Sequence, residues 1–146
     1  MKITLLSTAY PYRGGIAVFT ERLARALQAA NDEVTISTFS LQYPNIFFPG
    51  SSQYSSSDKP HDLDITAEVN SINPFNWLRI GLKIRKKKPD LLILKYWIPF
   101  FSPCLGTISR IVRTNKHTKV IVIIDNLIPH ESRIGDNILN KYFVNS

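Results

Sequence analysis

Lys2-Ile3-Thr4-Leu5-Leu6-Ser7-Thr8-Ala9-Tyr10-Pro11-Tyr12-Arg13-Gly14-Gly15-Ile16-Ala17 is the stretch on which the fold turns. Ile3 to Leu6 is a short apolar run closed by Ser7-Thr8, the signature of a buried strand. A loop, Ala9 to Gly15, follows. From Ile16 the period changes: Ile16, Phe19, Thr20, Leu23, Ala26, Leu27 and Ala30 fall at helical spacing, with Glu21, Arg22, Arg25 and Gln28 opposite. Asn31-Asp32 ends that helix. Val34 to Phe39 then alternates apolar and hydroxyl residues, as a second strand does.

Working outward, residues 41–60 are rich in Ser, Pro, Tyr and Phe without sustained periodicity. So long an irregular stretch inside a domain is usually functional or mobile. Leu63 to Ala67 reads as a short strand. Pro74 opens a helix through Trp77, Leu78, Ile80 and Ile84 to Lys88, stopped at Pro89-Asp90. Leu91 to Leu94 is a further apolar strand, followed by Lys95-Tyr96-Trp97-Ile98-Pro99-Phe100-Phe101. Ser102 to Thr114 reads as a helix with Leu105, Ile108, Ile111 and Val112 as its stripe. Lys119 to Ile124 is the clearest strand, apolar after its lysine, and the run predicts burial on both faces. A polar loop, Asp125 to Asp136, precedes the start of another helix over Asn137 to Val144.

Strands separated by helices run parallel, because each crossover returns the chain to the same edge. The expectation is an α/β, doubly wound, mostly parallel Rossmann-like sheet with helices on both faces. The 146 residues, 44% apolar and 20% charged, suit one globular domain. The single cysteine, Cys104, excludes an internal disulfide, and no histidine pair has ligand spacing, so no metal site is expected. Neither a secretory leader nor a run of about eighteen apolar residues appears. A cytoplasmic protein is expected. The net charge of +7 favours anionic partners.

Ligands of such sheets bind at the carboxyl ends of the strands, where three loops gather chemistry. In the first, Gly14-Gly15 precedes a helix whose start, from Ile16, offers free N–H groups. The pair either simply turns strand into helix or lets a phosphate approach the backbone. The dinucleotide fingerprint is absent, since no third glycine stands at its spacing. The second loop carries Tyr96 and Trp97, which are either core residues or a flat platform for a sugar or isoprenoid. The third, Asp125-Asn126-Leu127-Ile128-Pro129-His130-Glu131, groups two carboxylates, an amide and an imidazole. Asp125, His130 and Glu131 are candidates for proton transfer and Asn126 for binding hydroxyls, unless this is an ordinary solvated loop. Arg79, Lys83, Arg85, Lys86, Lys87 and Lys88 form a basic run, either a solvated face or a contact for anionic lipid. No nucleic-acid-binding module is recognisable.

Tyr10-Pro11-Tyr12-Arg13-Gly14-Gly15-Ile16-Ala17, with Phe19-Thr20-x-x-Leu23-Ala24-x-Ala26-Leu27, resembles the N-terminal signature of family 4 glycosyltransferases. Asn31-Asp32-Glu33-Val34 stands where relatives have a His-Glu-Val-like segment. Asp125-Asn126-x-x-Pro129-His130-Glu131 is similar to an Asn-x-x-Pro-His-Glu subgroup. The resemblance implies the N-terminal, acceptor-side half of a GT-B fold, with residues 1–146 as one domain incomplete at its C-terminus. The resemblance further implies a separate donor domain, with a Glu-x(7)-Glu motif, expected to lie outside these residues. It implies transfer of a hexose from a UDP- or GDP-linked sugar to a glycan or lipid-linked acceptor with retention of anomeric configuration, without metal or other cofactor. Gly14, Gly15 and Ile16 would meet the donor phosphates; Tyr96, Trp97 and Asn126 would meet the acceptor. Many relatives carry histidine where this chain has Asp125-Asn126, which leaves His130 as the nearest imidazole. The fragment alone is expected to be inactive and to need its missing domain or a partner chain. Peripheral contact with the anionic inner face of a membrane is a further expectation. Two rivals stand beside this reading: a non-catalytic acceptor-binding subunit, and an unrelated nucleotide-binding Rossmann-like protein.

Overall fold

The computed structural model describes residues 1–44, 53–56, 58–125 and 135–146. In it β1 (Lys2–Leu6) leads through α1 (Gly15–Ala29) to β2 (Glu33–Leu41), then to β3 (Asp64–Asn70). The chain returns through α2 (Pro74–Lys87) to β4 (Leu91–Tyr96). A 3-10 turn (Pro99–Phe101) runs into α3 (Ser102–Arg113), followed by β5 (Lys119–Ile124) and α4 (Asp136–Val144). Among the described residues the sheet has five strands in the order β3-β2-β1-β4-β5, every pairing parallel. This is the doubly wound α/β arrangement, and it is Rossmann-like in strand order.

The order dictates the layers. From β1 the chain moves to one side, and from β3 it crosses back over β2 and β1 to reach β4. Right-handed crossovers in opposite directions put α1 on one face and α2 and α3 on the other. Two cores result. Ile3, Leu5, Val34, Ile36 and Ile93 meet Ala24, Leu23 and Leu27 of α1. Leu6, Phe39, Leu92, Leu94 and Tyr96 meet Ile80 and Ile84 of α2 and Leu105, Ile108 and Val112 of α3. The two-residue period of the strands supplies both faces from one run.

Local chemistry fixes the boundaries. Asn73 caps α2 by accepting from the N–H groups of Phe75 (3.0 Å) and Asn76 (3.3 Å), with Pro74 in the first turn. Lys88, left-handed at φ 48°, closes it before Pro89. Gly81 allows α2 to lie close on α3: a Cβ there would stand 2.9 Å from Ile111 Cδ1 and 3.0 Å from Ile111 Cβ.

The structure departs from the sequence reading in four places. β3 reaches Asn70 instead of stopping near Ala67. β4 runs two residues beyond Leu94, so Lys95 and Tyr96 belong to the strand and not to a loop. On α1 the buried line is Ala17, Thr20 and Ala24, while Phe19 is 42% exposed. Finally, β5 is an edge strand with only partial cover: Ile121 is 50% and Ile124 42% exposed. α1 packs over β1 and β2, and on that face of β5 the half-buried Ile123 joins the α1 core while Ile121 stays open.

The two edges differ. On β3, Lys59 Nζ donates to the Ile65 carbonyl (2.9 Å) and Asn76 Nδ2 to that of Glu68 (2.9 Å), blunting the strand. No comparable side chain covers the outer backbone of β5 among the described residues.

Candidate functional site

In the order β3-β2-β1-β4-β5 the chain leaves β1 toward one side and β4 toward the other. The switch point of the topology therefore falls at the carboxyl ends of β1 and β4, where ligands of doubly wound sheets bind. The loops after β1, β4 and β5 all leave this rim, as the sequence reading requires. The glycine loop and Asp125 are on the same edge of a parallel sheet.

The β1 loop is built by short polar side chains that satisfy its backbone. Ala9 N–H donates to Thr38 Oγ1 (2.9 Å) and Tyr10 N–H to Glu21 Oε1 (3.3 Å). Ser7 and Thr20 hydroxyls lie 2.7 Å apart, and Thr8 Oγ1 donates to Gln42 Oε1 (3.0 Å). Tyr12 is buried, its hydroxyl accepting from Gln42 N–H (3.1 Å), and burial pushes its phenol up to about 12. A bridge to Tyr54, with the two rings stacked at 5.3 Å, pins the loop from outside. The Tyr10–Pro11 peptide within it is cis.

That frame presents two bare glycines. Gly14 has φ 118° and ψ 175°, a region open essentially to glycine alone. It begins α1 with no side-chain cap and no acidic residue in the first turn. Val18 N–H already donates to the Gly14 carbonyl (3.1 Å), which leaves Gly15, Ile16 and Ala17 N–H groups without helical partners. Nothing lies within 4 Å of a Cβ built on Gly14 or Gly15, so the approach is open. Arg13 is exposed beside them. An anion suits this geometry.

Lys95 was not among the residues expected to act. It is 6% exposed, at the end of β4 on the α1 face, and Nζ bonds Asp125 Oδ1 at 2.5 Å. The same ammonium lies 4.2 Å from the centroid of the Phe19 ring. Phe19 is about one turn (~5.4 Å) into α1, so the Lys95–Asp125 pair is adjacent to the glycine turn. Asp125 keeps one side toward solvent, its side chain 40% exposed. The two-residue period was the available signal: Leu91, Ile93 and Lys95 share one face of β4.

The other expected residues divide. Tyr96 is fully buried: its hydroxyl bonds Ser102 Oγ (2.8 Å) and Asn140, and its ring stacks on Phe143 at 4.3 Å. Trp97 is 8% exposed, donates from Nε1 to Tyr43 (2.8 Å) and packs on Phe101 at 4.4 Å. Both are core residues. A stacking platform needs an open ring face, and neither has one. Asn126, His130 and Glu131 lie outside the described residues.

A cleft of about 550 Å³ runs along β5, lined by Val120, Val122, Arg113, Phe143 and Val144. It lies beneath α3 and α4 and away from the β1–β4 switch point. Among the described residues no cluster of His, Cys, Asp and Glu is arranged to hold a metal ion. No helix among them is long and apolar enough to cross a membrane. Compared with models of known protein families and with curated proteins, the sequence matches none.

Proposed function

We propose that this chain is the acceptor-side half of a glycosyltransferase that moves a hexose from a UDP- or GDP-linked donor to a glycan or lipid-linked acceptor. The observation that carries the reading is Gly14. A glycine-only conformation is held at an uncapped helix start, at the switch point between β1 and β4. The resemblance at Tyr10 to Ala17 gives that geometry its substrate.

In the proposed reaction the bond from the anomeric carbon to the diphosphate oxygen breaks, and the diphosphate leaves with the electron pair. Gly15, Ile16 and Ala17 N–H groups stabilise its charge at the α1 terminus. The acceptor hydroxyl bonds to the anomeric carbon and gives up its proton. Asp125 is the base candidate within the described residues, and Lys95 is its positioning residue; His130 and Glu131 follow in the same loop. The products are the glycosylated acceptor, a nucleoside diphosphate and a proton. The donor's base and ribose are held by a separate domain or partner chain, so these residues alone turn over no nucleotide sugar. The proposed setting is cytoplasmic; the buried, unpaired Cys104 suits it.

Titrating the chain with inorganic pyrophosphate while following backbone amide shifts tests this reading. Shifts should centre on Gly14, Gly15 and Ile16, and Gly14→Ala should weaken them about tenfold by straining the turn. Shifts centred elsewhere, or an unaffected Gly14→Ala variant, would overturn it. Turnover of UDP- or GDP-hexose by the chain alone would refute the divided site.

A second reading, a protein that binds a whole nucleotide by itself, is favoured by the β1–β4 switch point. Against it, β2 ends in Ser40-Leu41 with no carboxylate for a ribose. Tight binding of NAD or FMN by the chain would select it.

A further inference from the structure

α2 packs Ile80, Gly81 and Ile84 inward, against the core shared with α3. A helix anchored this way should be polar on its outer side. This one is not. Phe75 is 82% exposed, Leu78 47% and Leu82 52%, at spacings of three and four residues, and Ile72 just before the helix is 49% exposed. At 3.6 residues per turn these three form one stripe, opposite the buried side. Arg79, Lys83, Arg85, Lys86 and Lys87 flank it, all exposed, and Lys88 follows. Between Ser71 and Pro89 there is no Asp or Glu. Glu68, which pairs with Lys83, is the neighbouring acid from β3.

We propose that the outer face of α2 docks on an anionic lipid bilayer, with Phe75, Leu78 and Leu82 entering the headgroup boundary and the surrounding Arg and Lys side chains meeting lipid phosphates. Charge complementarity selects the occupant. The patch carries one sign of charge around an apolar centre, the pattern of helices that lie in a membrane interface. A nucleic-acid backbone would meet the cations but leave the apolar stripe without a partner. The inference stands apart from glycosyl transfer. α2 runs antiparallel to the strands, so its Phe75 end lies toward the carboxyl rim of the sheet.

The test is co-sedimentation of the chain with phosphatidylcholine vesicles, with and without a minority of phosphatidylglycerol. The chain should pellet with the anionic vesicles only, and less so as salt screens the contact. The double variant Phe75→Ser/Leu82→Ser keeps every charge and alters only exposed side chains. It should remain folded by circular dichroism and bind at least about tenfold more weakly. Arg79→Gln/Lys86→Gln should also bind less. No binding to anionic vesicles at low salt overturns the proposal. Wild-type binding by the serine variant does too, because the contact would then be charge alone. Duplex DNA bound as tightly as anionic vesicles, and equally by the serine variant, would replace lipid with a general polyanion.

Discussion

Asp90 joins three strands at the amino edge of the sheet. Its carboxylate accepts the Lys2 N–H (2.7 Å) and faces His117 Nε2 (3.2 Å). Its own N–H donates to the Lys2 carbonyl (2.8 Å), and its carbonyl accepts from Lys119 (3.0 Å). The bond from Lys2 and then the contact with His117 hold the carboxyl below its ordinary value. A depressed folded value means that its stabilisation is complete above the ordinary carboxylate range and is lost as pH falls through the lower folded value. Asp90→Asn should therefore be less stable than wild type at ~pH 7, and the gap should narrow toward ~pH 3. Urea denaturation at the two pH values measures it; a constant gap would refute the assignment. Residues of this kind are poorly legible in sequence, since their partners come from distant strands. Gly14 was legible because a glycine pair before a helical period has few uses. Lys95 was not, because the apolar run was read as ending at Leu94. Tyr96 and Trp97 were ambiguous because aromatics serve cores and platforms alike.

At the scale of elements, α2 and α3 depend on the missing side chain at Gly81. Alanine there gains about 1 kcal/mol of helix propensity. Its Cβ would nevertheless stand 3.0 Å from Ile111 Cβ, an atom that cannot rotate away. Overpacking of that sort costs about 1–3 kcal/mol, so the clash should win. Gly81→Ala is expected to lower stability in chemical denaturation, and adding Ile111→Ala, which removes Cδ1 (2.9 Å) and Cγ2 (3.1 Å) but keeps Cβ, should give a double variant that loses less than the sum of the two single losses. Additive losses would show that the two positions do not compete for space. The elements themselves were legible from period and punctuation. What the sequence could not distinguish was a central strand from an edge strand in β5, since an apolar run without alternation reads the same in both. Its place at the edge beside β4 is a property of topology.

For the whole molecule, the parallel sheet follows from the alternation of strands and helices, and both edges follow from the order of crossovers. β3 hides backbone groups behind Lys59 and Asn76, whereas β5 offers Ile121 and Ile124 beside an edge that no described side chain covers. Ile121→Lys places a charge on a half-exposed position. It should change folding stability by no more than about 0.5 kcal/mol and reduce self-association in sedimentation velocity. An unchanged association profile would acquit this edge. Among the described residues, the contrast between the edges also bears on how two copies could pair. A molecule with two receptive borders can stack without end. With one such border among the described residues, two copies pairing through it across a twofold axis would consume each other's vacancy, and growth by that route would close at a pair.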